Sequence, residues 1–293
     1  MTLINLLQNL FAGISIGSIY ALIGLGFVIT INGVGILNMA HGEILMLGGF
    51  LAVTFTTALD LPLFWGYLLA LVCMTVFGYI LNLAVLRPMI NKPIFTVMIA
   101  TIGLSMVLQC FAMNIWGPYA VELKGPFGNK TLDLGGVVIP YQYLLLIAAL
   151  VVVCVLLWIF YNRTITGKQM RAMSQMPDVA KLLGTNTKRL TAITIMLSCA
   201  IAGLTGILMG PIYFVTYAMG SVAIGKGFTA IVLGGFGKVE GAVLGGILLG
   251  IIETLLAAYV SPMFKDGFAF LVLVVVLIIR PKGILGEPVS QRV

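Results

Sequence analysis

Residues 62–86 read P-L-F-W-G-Y-L-L-A-L-V-C-M-T-V-F-G-Y-I-L-N-L-A-V-L and contain no charged side chain. As a helix, this stretch rises about 1.5 Å per residue, which is enough to cross a hydrocarbon core of roughly 30 Å. Arg87 and Pro88 follow directly and mark its end. The stretch therefore predicts a membrane-spanning helix.

The rest of the chain repeats this pattern. Its 293 residues are 61% hydrophobic and 9% charged, with a mean hydropathy of +1.16, which is far from the usage of soluble domains. We predict an all-α, polytopic transmembrane helix bundle forming a single domain over residues 1–293. About eight spans are expected, near residues 5–31, 44–59, 62–86, 94–116, 140–161, 190–210, 241–260 and 267–279. T229-A-I-V-L-G-G-F236 is too short to cross regularly and is predicted to be half-helical or re-entrant.

The basic residues predict the orientation of these spans. Twelve of the sixteen Lys and Arg residues fall in the breaks at 87–92, 162–189, 237–240 and 280–293. The positive-inside rule places those breaks in the cytoplasm, with the N-terminus outside and the C-terminus inside. The other side keeps only Lys124, Lys130, Lys226 and Lys265. The net charge of +7 is thereby explained without nucleic acid. With the two termini on opposite sides, the number of crossings must be odd, so this orientation requires the short piece near residue 230 to cross as well.

Residues 43–88 and 240–281 share a pattern. Each stretch begins with Glu, continues with Leu-Gly-Gly four residues later, and ends with Arg-Pro. The match predicts an internal repeat, and repeated halves of transporters tend to place a substrate path between them. The alternative is chance recurrence in a chain with 35 glycines.

Pairs of glycines four residues apart predict close helix packing, because helices in lipid associate through close backbone approach. These pairs are Gly13 with Gly17, Gly206 with Gly210, Gly241 with Gly245, and Gly246 with Gly250. Glu253 lies on the same helical face as the last pair, so it is expected to face protein or water. An intramembrane acid is either a functional residue or a structural hydrogen-bonding group.

The stretch N38-M-A-H-G-E43 holds the only histidine of the chain. Gly33, Gly35 and Gly42 predict a break in the helix here, so these polar groups need not lie in hydrocarbon. Asn38, His41, Glu43 and the distant Glu253 are candidates for a transport pathway or gate. For His41 and Glu43, a structural role in capping or pairing is favoured over direct substrate contact.

The long break at 162–189 predicts a short amphipathic helix. Pro177 and Asp178 suit its first turn, Leu183 lies on its apolar face, and Gly184 ends it. Such a helix can lie on the lipid surface or insert into the groove of a partner.

Several kinds of site are not supported by the sequence. The cysteines stand singly in apolar segments, so no metal site and no catalytic residue is predicted. G220-S-V-A-I-G-K-G227 has the glycine and lysine spacing of a phosphate loop, but Gly227 stands where Ser or Thr would hold magnesium. We interpret it as flexible turn chemistry around a broken helix.

Four elements resemble the LivH-type permeases of branched-chain amino acid ABC importers: G17-S-I-Y-A-L-I-G-L-G26, N38-M-A-H-G-E-I-L-M-L-G48, G167-K-Q-M-R-A172 with A180-K-L-L-G184, and F228-T-A-I-V-L-G-G235. The resemblance covers nearly the whole chain. It implies a multi-pass permease of the bacterial inner membrane that is not itself an enzyme.

The resemblance also implies partners. They are a second related permease (LivM-like), two ABC ATPases that bind the ATP, and a periplasmic substrate-binding protein, so no cofactor is expected on this chain. The loop at 117–139 is the larger periplasmic loop, and the loop at 162–189 resembles the segment that docks on the ATPase. Its coupling residues would be Gly167, Arg171, Ala172, Pro177, Asp178, Ala180, Leu183 and Gly184.

Other functions stay open at this point. Similar permeases serve urea, amides or other amino acids. A proton-coupled secondary carrier would use His41, Glu43 and Glu253 as a relay. A membrane-embedded enzyme has little support, because a single His with one nearby acid supplies no nucleophile and base.

Overall fold

A computed structural model describes residues 3–90, 92–128, 130–134, 136–175, 180, 185–280 and 283–286. Within this part of the chain, seven helices are long and apolar enough to cross a membrane, and one shorter apolar helix accompanies them. The prediction of an all-α polytopic bundle is confirmed. The helices are α1 (Leu3–Val34), α2 (His41–Val53), α3 (Leu63–Leu81), α4 (Ile94–Trp116), α5 (Tyr141–Arg163), α6 (Ile165–Gln175), α7 (Thr187–Tyr213), α8 (Met219–Gly234), α9 (Val239–Tyr259) and α10 (Lys265–Ile279).

Two of the predicted spans contain π-helical turns. The predicted span at 44–59 corresponds to α2 followed by the π-helical turn Thr54–Ala58. The span at 62–86 corresponds to α3 followed by a second such turn, Asn82–Leu86, and by the helical turn Arg87–Met89. A π-helical turn inserts one extra residue locally, which sequence periodicity does not reveal.

The predicted outer loop at 117–139 contains a hairpin that the sequence analysis did not predict. Strands β1 (Thr131–Leu134) and β2 (Val137–Pro140) pair antiparallel, with Leu134 opposite Val137. Gly136 lies in the tight turn at φ +100°, a backbone conformation that favours glycine. Its N–H donates to Asp133 Oδ1 at 2.9 Å.

The prediction that residues 220–227 form a flexible turn is wrong. These residues lie inside α8, a continuous helix of 16 residues. Its glycines are needed for close packing and not for flexibility, because a Cβ at Gly227 would collide with Ile23. Residues 229–234 of the predicted short piece form the C-terminal part of this helix, and Gly235 and Phe236 lie beyond its end. A helix of 16 residues is only about 24 Å long, which agrees with the prediction that it is too short for a regular span.

The chain divides into two compact units. The first unit comprises Met1–Val28, Phe127–Leu150 and Gly225–Val293, and the second comprises Ile29–Pro126 and Val151–Ile224. Each unit contains one copy of the predicted repeat: α2 and α3 lie in the second unit, and α9 and α10 lie in the first. In both copies a glutamate lies in the first helical turn, Glu43 in α2 and Glu240 in α9. The single-domain assignment of residues 1–293 stays a prediction.

In the first unit, glycines bring α1 and α9 into backbone contact. A Cβ at Gly17 would lie 2.7 Å from Ile247 Cα, and one at Gly13 would lie 2.8 Å from Ile251 Cα. Gly250 lies directly against Gly17. The packing interpretation of these glycine pairs is therefore confirmed.

In the second unit, α2 and α7 make the same kind of contact. Gly48 lies against Gly203, and Gly206 lies against the carbonyl oxygen of Leu45. The outward faces of the surrounding helices are apolar; on α4, Ile99 is 70% exposed. These faces are suited to lipid, and α2 and α7 form the core.

Candidate functional site

The polar groups of N38-M-A-H-G-E43 lie at a break between two helices. Helix α1 ends at Val34, Gly35 adopts φ +72°, and α2 begins at His41. The side chain of Asn38 shapes the turn, because its Oδ1 accepts a 3.0 Å hydrogen bond from the Ala40 N–H. The predicted break is confirmed.

Glu43 is buried by protein, with 1% of its surface exposed. Its Oε1 accepts hydrogen bonds from two hydroxyls, Ser221 at 3.1 Å and Ser105 at 3.4 Å. The second oxygen, Oε2, occupies the space that a Cβ at Gly220 would fill. Glycine at position 220 therefore leaves room for the carboxylate, and the hydrogen bond from Ser221 to Glu43 joins α8 to α2.

His41 and Asn38 are buried like Glu43, at 1% and 3% exposure. The interpretation that these polar groups need not lie in hydrocarbon is confirmed, since protein encloses them. Their role in a pathway or gate stays a prediction.

Replacing Glu43 with leucine is expected to lower the melting temperature, whereas Glu43→Gln is expected to stay close to wild type. Glutamine keeps an oxygen that can accept hydrogen bonds from Ser105 and Ser221. Leucine leaves both hydroxyls without this acceptor, which costs about 1–3 kcal/mol of stability. The measurement is thermal unfolding of the purified protein in detergent. Equal melting temperatures for the two variants would contradict the structural role. Normal assembly of Glu43→Gln with an altered substrate preference would instead assign Glu43 to substrate contact.

A second polar cluster lies in the first unit, and we call it the charge cluster: Tyr20, Lys226, Glu253, Lys265 and Asp266. Lys226 Nζ lies 2.9 Å from Glu253 Oε2 and 2.9 Å from Asp266 Oδ1. Glu253 Oε1 lies 3.4 Å from Lys265 Nζ and accepts a 3.2 Å hydrogen bond from the Tyr20 hydroxyl. The cluster joins α1, α8, α9 and α10 and balances two cations with two anions.

The charge cluster was only partly predicted. Glu253 was expected to face protein or water, and this is confirmed because it is 1% exposed. Lys226 was assigned to an outer break, but it lies inside α8 and is 2% exposed. The available signal was a lysine inside an apolar stretch, since such a residue needs a partner.

Helix α6 contains Gly167, Arg171 and Ala172 of the predicted coupling segment. Gly167 packs against the backbone of Phe160, while Arg171 and Ala172 are exposed. Arg171 Nη2 donates to Asn162 Oδ1 at 3.0 Å, which ties α6 to the end of α5. Ala180 is buried. The other predicted coupling residues, Pro177, Asp178, Leu183 and Gly184, lie outside the described residues.

A cavity of about 460 Å³ lies next to α6 in the second unit. The cavity is lined by Ile31 of α1 and by Gly35, which follows α1. Its other walls include Arg87 at the end of the α3 segment, Met173 of α6 and Lys188 at the start of α7. The cavity lies between Met173 of α6 and these neighbouring segments, and the basic residues Arg87 and Lys188 are part of its wall.

Comparison with known proteins identifies the family. The model of the family described as "Branched-chain amino acid transport system / permease component" matches residues 9–277. The chain belongs to this family. The high-affinity branched-chain amino acid transport permease LivH of Escherichia coli K12 is 33% identical over 98% of this chain and 97% of its own. BraD of Pseudomonas aeruginosa PAO1, named for the same kind of system, is 33% identical over 98% of both chains.

A relative of lower identity is also similar over most of the chain. The probable branched-chain amino acid transport permease LivH of Methanocaldococcus jannaschii is 26% identical over 92% of this chain and 89% of its own. The resemblance to LivH-type permeases is therefore confirmed, and the protein is a multi-pass membrane permease component of a transport system.

Proposed function

We propose that this protein is the transmembrane permease subunit of an ABC importer that moves branched-chain or related hydrophobic amino acids across the bacterial inner membrane. The observation that supports it is the similarity over nearly the full chain to permeases named for branched-chain amino acid transport. The chain acts as a conduit and not as an enzyme. It needs no cofactor of its own, because partner ATPases bind the ATP.

The proposed partners are a second related permease, two ABC ATPases and a periplasmic substrate-binding protein. The exposed basic side chains of α6, Lys168 and Arg171, support an ATPase contact on the cytoplasmic side. The concentration of basic residues in alternate breaks supports an outside N-terminus and a cytoplasmic C-terminus.

Coupling can follow a chain of contacts within the second unit. Helix α6 is fastened to the end of α5 through Arg171 and Asn162. Helix α6 also contacts α7, which packs against α2 through Gly206 and Leu45. A displacement imposed on α6 by ATPase closure is thereby passed to the helix that carries Glu43, and the permease switches between outward-open and inward-open arrangements.

Reconstituted vesicles test the proposal. With all partners present, we expect ATP-dependent uptake of radiolabelled leucine that continues when ionophores collapse the proton gradient. Uptake that needs the gradient and not the ATPases would establish a secondary carrier. ATP-dependent uptake of urea or an amide in place of leucine would establish the other transport branch of the same family.

Arg171→Glu is expected to reduce leucine uptake and substrate-stimulated ATP hydrolysis at least about tenfold. Reversing a charge at a docking surface replaces attraction by repulsion, and like charges at an interface cost several kcal/mol. The control is Asn162→Ala, which removes the intrachain hydrogen bond of Arg171 but keeps its charge. If both variants lose activity equally, Arg171 acts through the α5–α6 contact and not by docking.

A further inference from the structure

The charge cluster has a composition that matches an amino acid head group. Its buried centre is one cation and one anion, Lys226 and Glu253, whose side chains are 3% and 1% exposed. Their charged atoms lie 2.9 Å apart. An α-amino acid carries its ammonium and its carboxylate on a single carbon atom, so it can reach both members of such a pair at once.

Each buried charge has a second partner, and these two partners are adjacent residues in the sequence. Asp266 supplies a carboxylate to Lys226 at 2.9 Å, and Lys265 supplies an ammonium to Glu253 at 3.4 Å. These two residues are neighbours at the start of α10, so they present one anion and one cation side by side. Asp266 and Lys265 thus contact the buried pair in the way that the carboxylate and ammonium of an amino acid would.

Of the outer members of the charge cluster, Asp266 is exposed and Lys265 is half-buried. The Asp266 side chain is 68% exposed and that of Lys265 is 31% exposed. Water competes for a charged group that is exposed, so an ion pair with one exposed member is weaker than a pair in which both members are buried. A ligand that supplies a carboxylate and an ammonium can therefore replace Asp266 and Lys265, while Lys226 and Glu253 stay paired and the site stays neutral throughout the exchange.

We propose that the Lys226–Glu253 pair binds the zwitterionic head group of the transported amino acid, and that Lys265 and Asp266 fill this site until the substrate displaces them. This inference rests on the proposed function, because it names the subsite at which the permease receives its substrate. The predicted orientation places the α9–α10 connection on the outer face, where a binding protein would deliver the amino acid.

Other contacts of the charge cluster fit this role. Tyr20 holds the acid in place through its hydroxyl, and its ring centroid lies 5.9 Å from Lys226 Nζ, within cation–π range. Phe270 follows Asp266 by one helical turn and is 47% exposed. Its ring edge lies 3.1 Å from where a Cβ of Gly225 would be. An apolar surface for an aliphatic side chain thus adjoins the charged groups.

The test uses the assembled transporter in detergent without its binding protein, so that the permease alone recognises the ligand. Thermal stabilisation is titrated with L-leucine, with leucinol, which lacks the carboxylate, and with 4-methylpentanoate, which lacks the ammonium. We expect both analogues to bind at least about tenfold more weakly than leucine, since each leaves one buried charge without its new partner. Equal stabilisation by all three compounds, or none by leucine, would overturn the proposal.

Variants separate substrate binding from structure. Lys226→Gln is expected to weaken leucine binding at least about tenfold. Asp266→Asn is expected to strengthen it severalfold, because the competing carboxylate is gone. Glu122→Gln, at another exposed acid, is the matched control and is expected to leave binding unchanged.

With these variants, two binding results would also overturn the proposal. An assembled Lys226→Gln transporter with unchanged leucine binding is the first. The second applies if Lys226→Gln fails to assemble. In that case Asp266→Asn is compared with the control Glu122→Gln, and equal leucine binding by these two variants overturns the proposal. The proposed function is tested separately by uptake in vesicles. If Lys226→Gln takes up leucine at the wild-type rate, the subsite is refuted and the proposed function is left intact.

Discussion

Gly206→Leu is expected to abolish the folded protein. A Cβ at this position would collide with the Leu45 carbonyl oxygen and would lie 3.0 Å from the Gly49 nitrogen. Both neighbours are backbone atoms of α2, so no side chain can move aside. Overpacking commonly costs about 1–3 kcal/mol where side chains can adjust, and a contact between two backbones costs more. Because α2 and α7 form the core of the second unit, their separation exposes its interior. The measurement is the yield of monodisperse protein in detergent after purification.

Gly103→Leu is the matched control for this variant. Gly103 also lies within a helix, α4, but a Cβ there meets nothing within 4 Å. The variant is expected to be purified at wild-type yield. Loss of both proteins would show that the chain tolerates no large residue in its helices, and the packing of α2 on α7 would then not be the cause.

Lys226→Met is expected to lower the melting temperature by roughly 6–12 °C, which corresponds to about 3 kcal/mol. The substitution removes the nearest partner of Glu253, a carboxylate that is 1% exposed. Glu253 keeps the Tyr20 hydroxyl and the more distant Lys265, so the cost lies at the lower end for a broken buried pair. Thermal unfolding in detergent, without substrate, measures it.

The double variant Lys226→Met/Glu253→Gln is expected to recover part of this loss, because it leaves no uncompensated charge in the interior. Lys130→Met is the control, since Lys130 is an exposed lysine of the same unit. If the fall in melting temperature of the double variant equals or exceeds the summed falls of Lys226→Met and Glu253→Gln alone, the pair does not interact as the 2.9 Å distance indicates.

Local sequence patterns predicted the positions of the helices well. The predicted span at 94–116 coincides with α4, and the span at 241–260 differs from α9 by two residues at one end and one at the other. Apolar length is a local property, so neighbouring residues are enough to reveal it. The pattern failed at residues 220–227, where glycine spacing was interpreted as a turn although those glycines serve close packing in α8.

The polar site was predicted less completely. Asn38, His41, Glu43 and Glu253 were singled out because polar groups are rare in apolar segments. Ser105 and Ser221, which hydrogen-bond Glu43, were missed, because each is an ordinary helical serine far away along the chain. Their importance depends on the contact between α4, α8 and α2 and not on any local pattern.

The sequence by itself determined that the chain is a multi-pass helical membrane protein with a break before His41, and it carries the motifs of its family. Runs of apolar residues suffice for this, because lipid forces the backbone to satisfy its own hydrogen bonds within each helix. Only the tertiary structure decided that Lys226 meets Glu253 and Asp266. The partners come from three different helices, and a buried charge is stable only where folding brings its counter-ions to it.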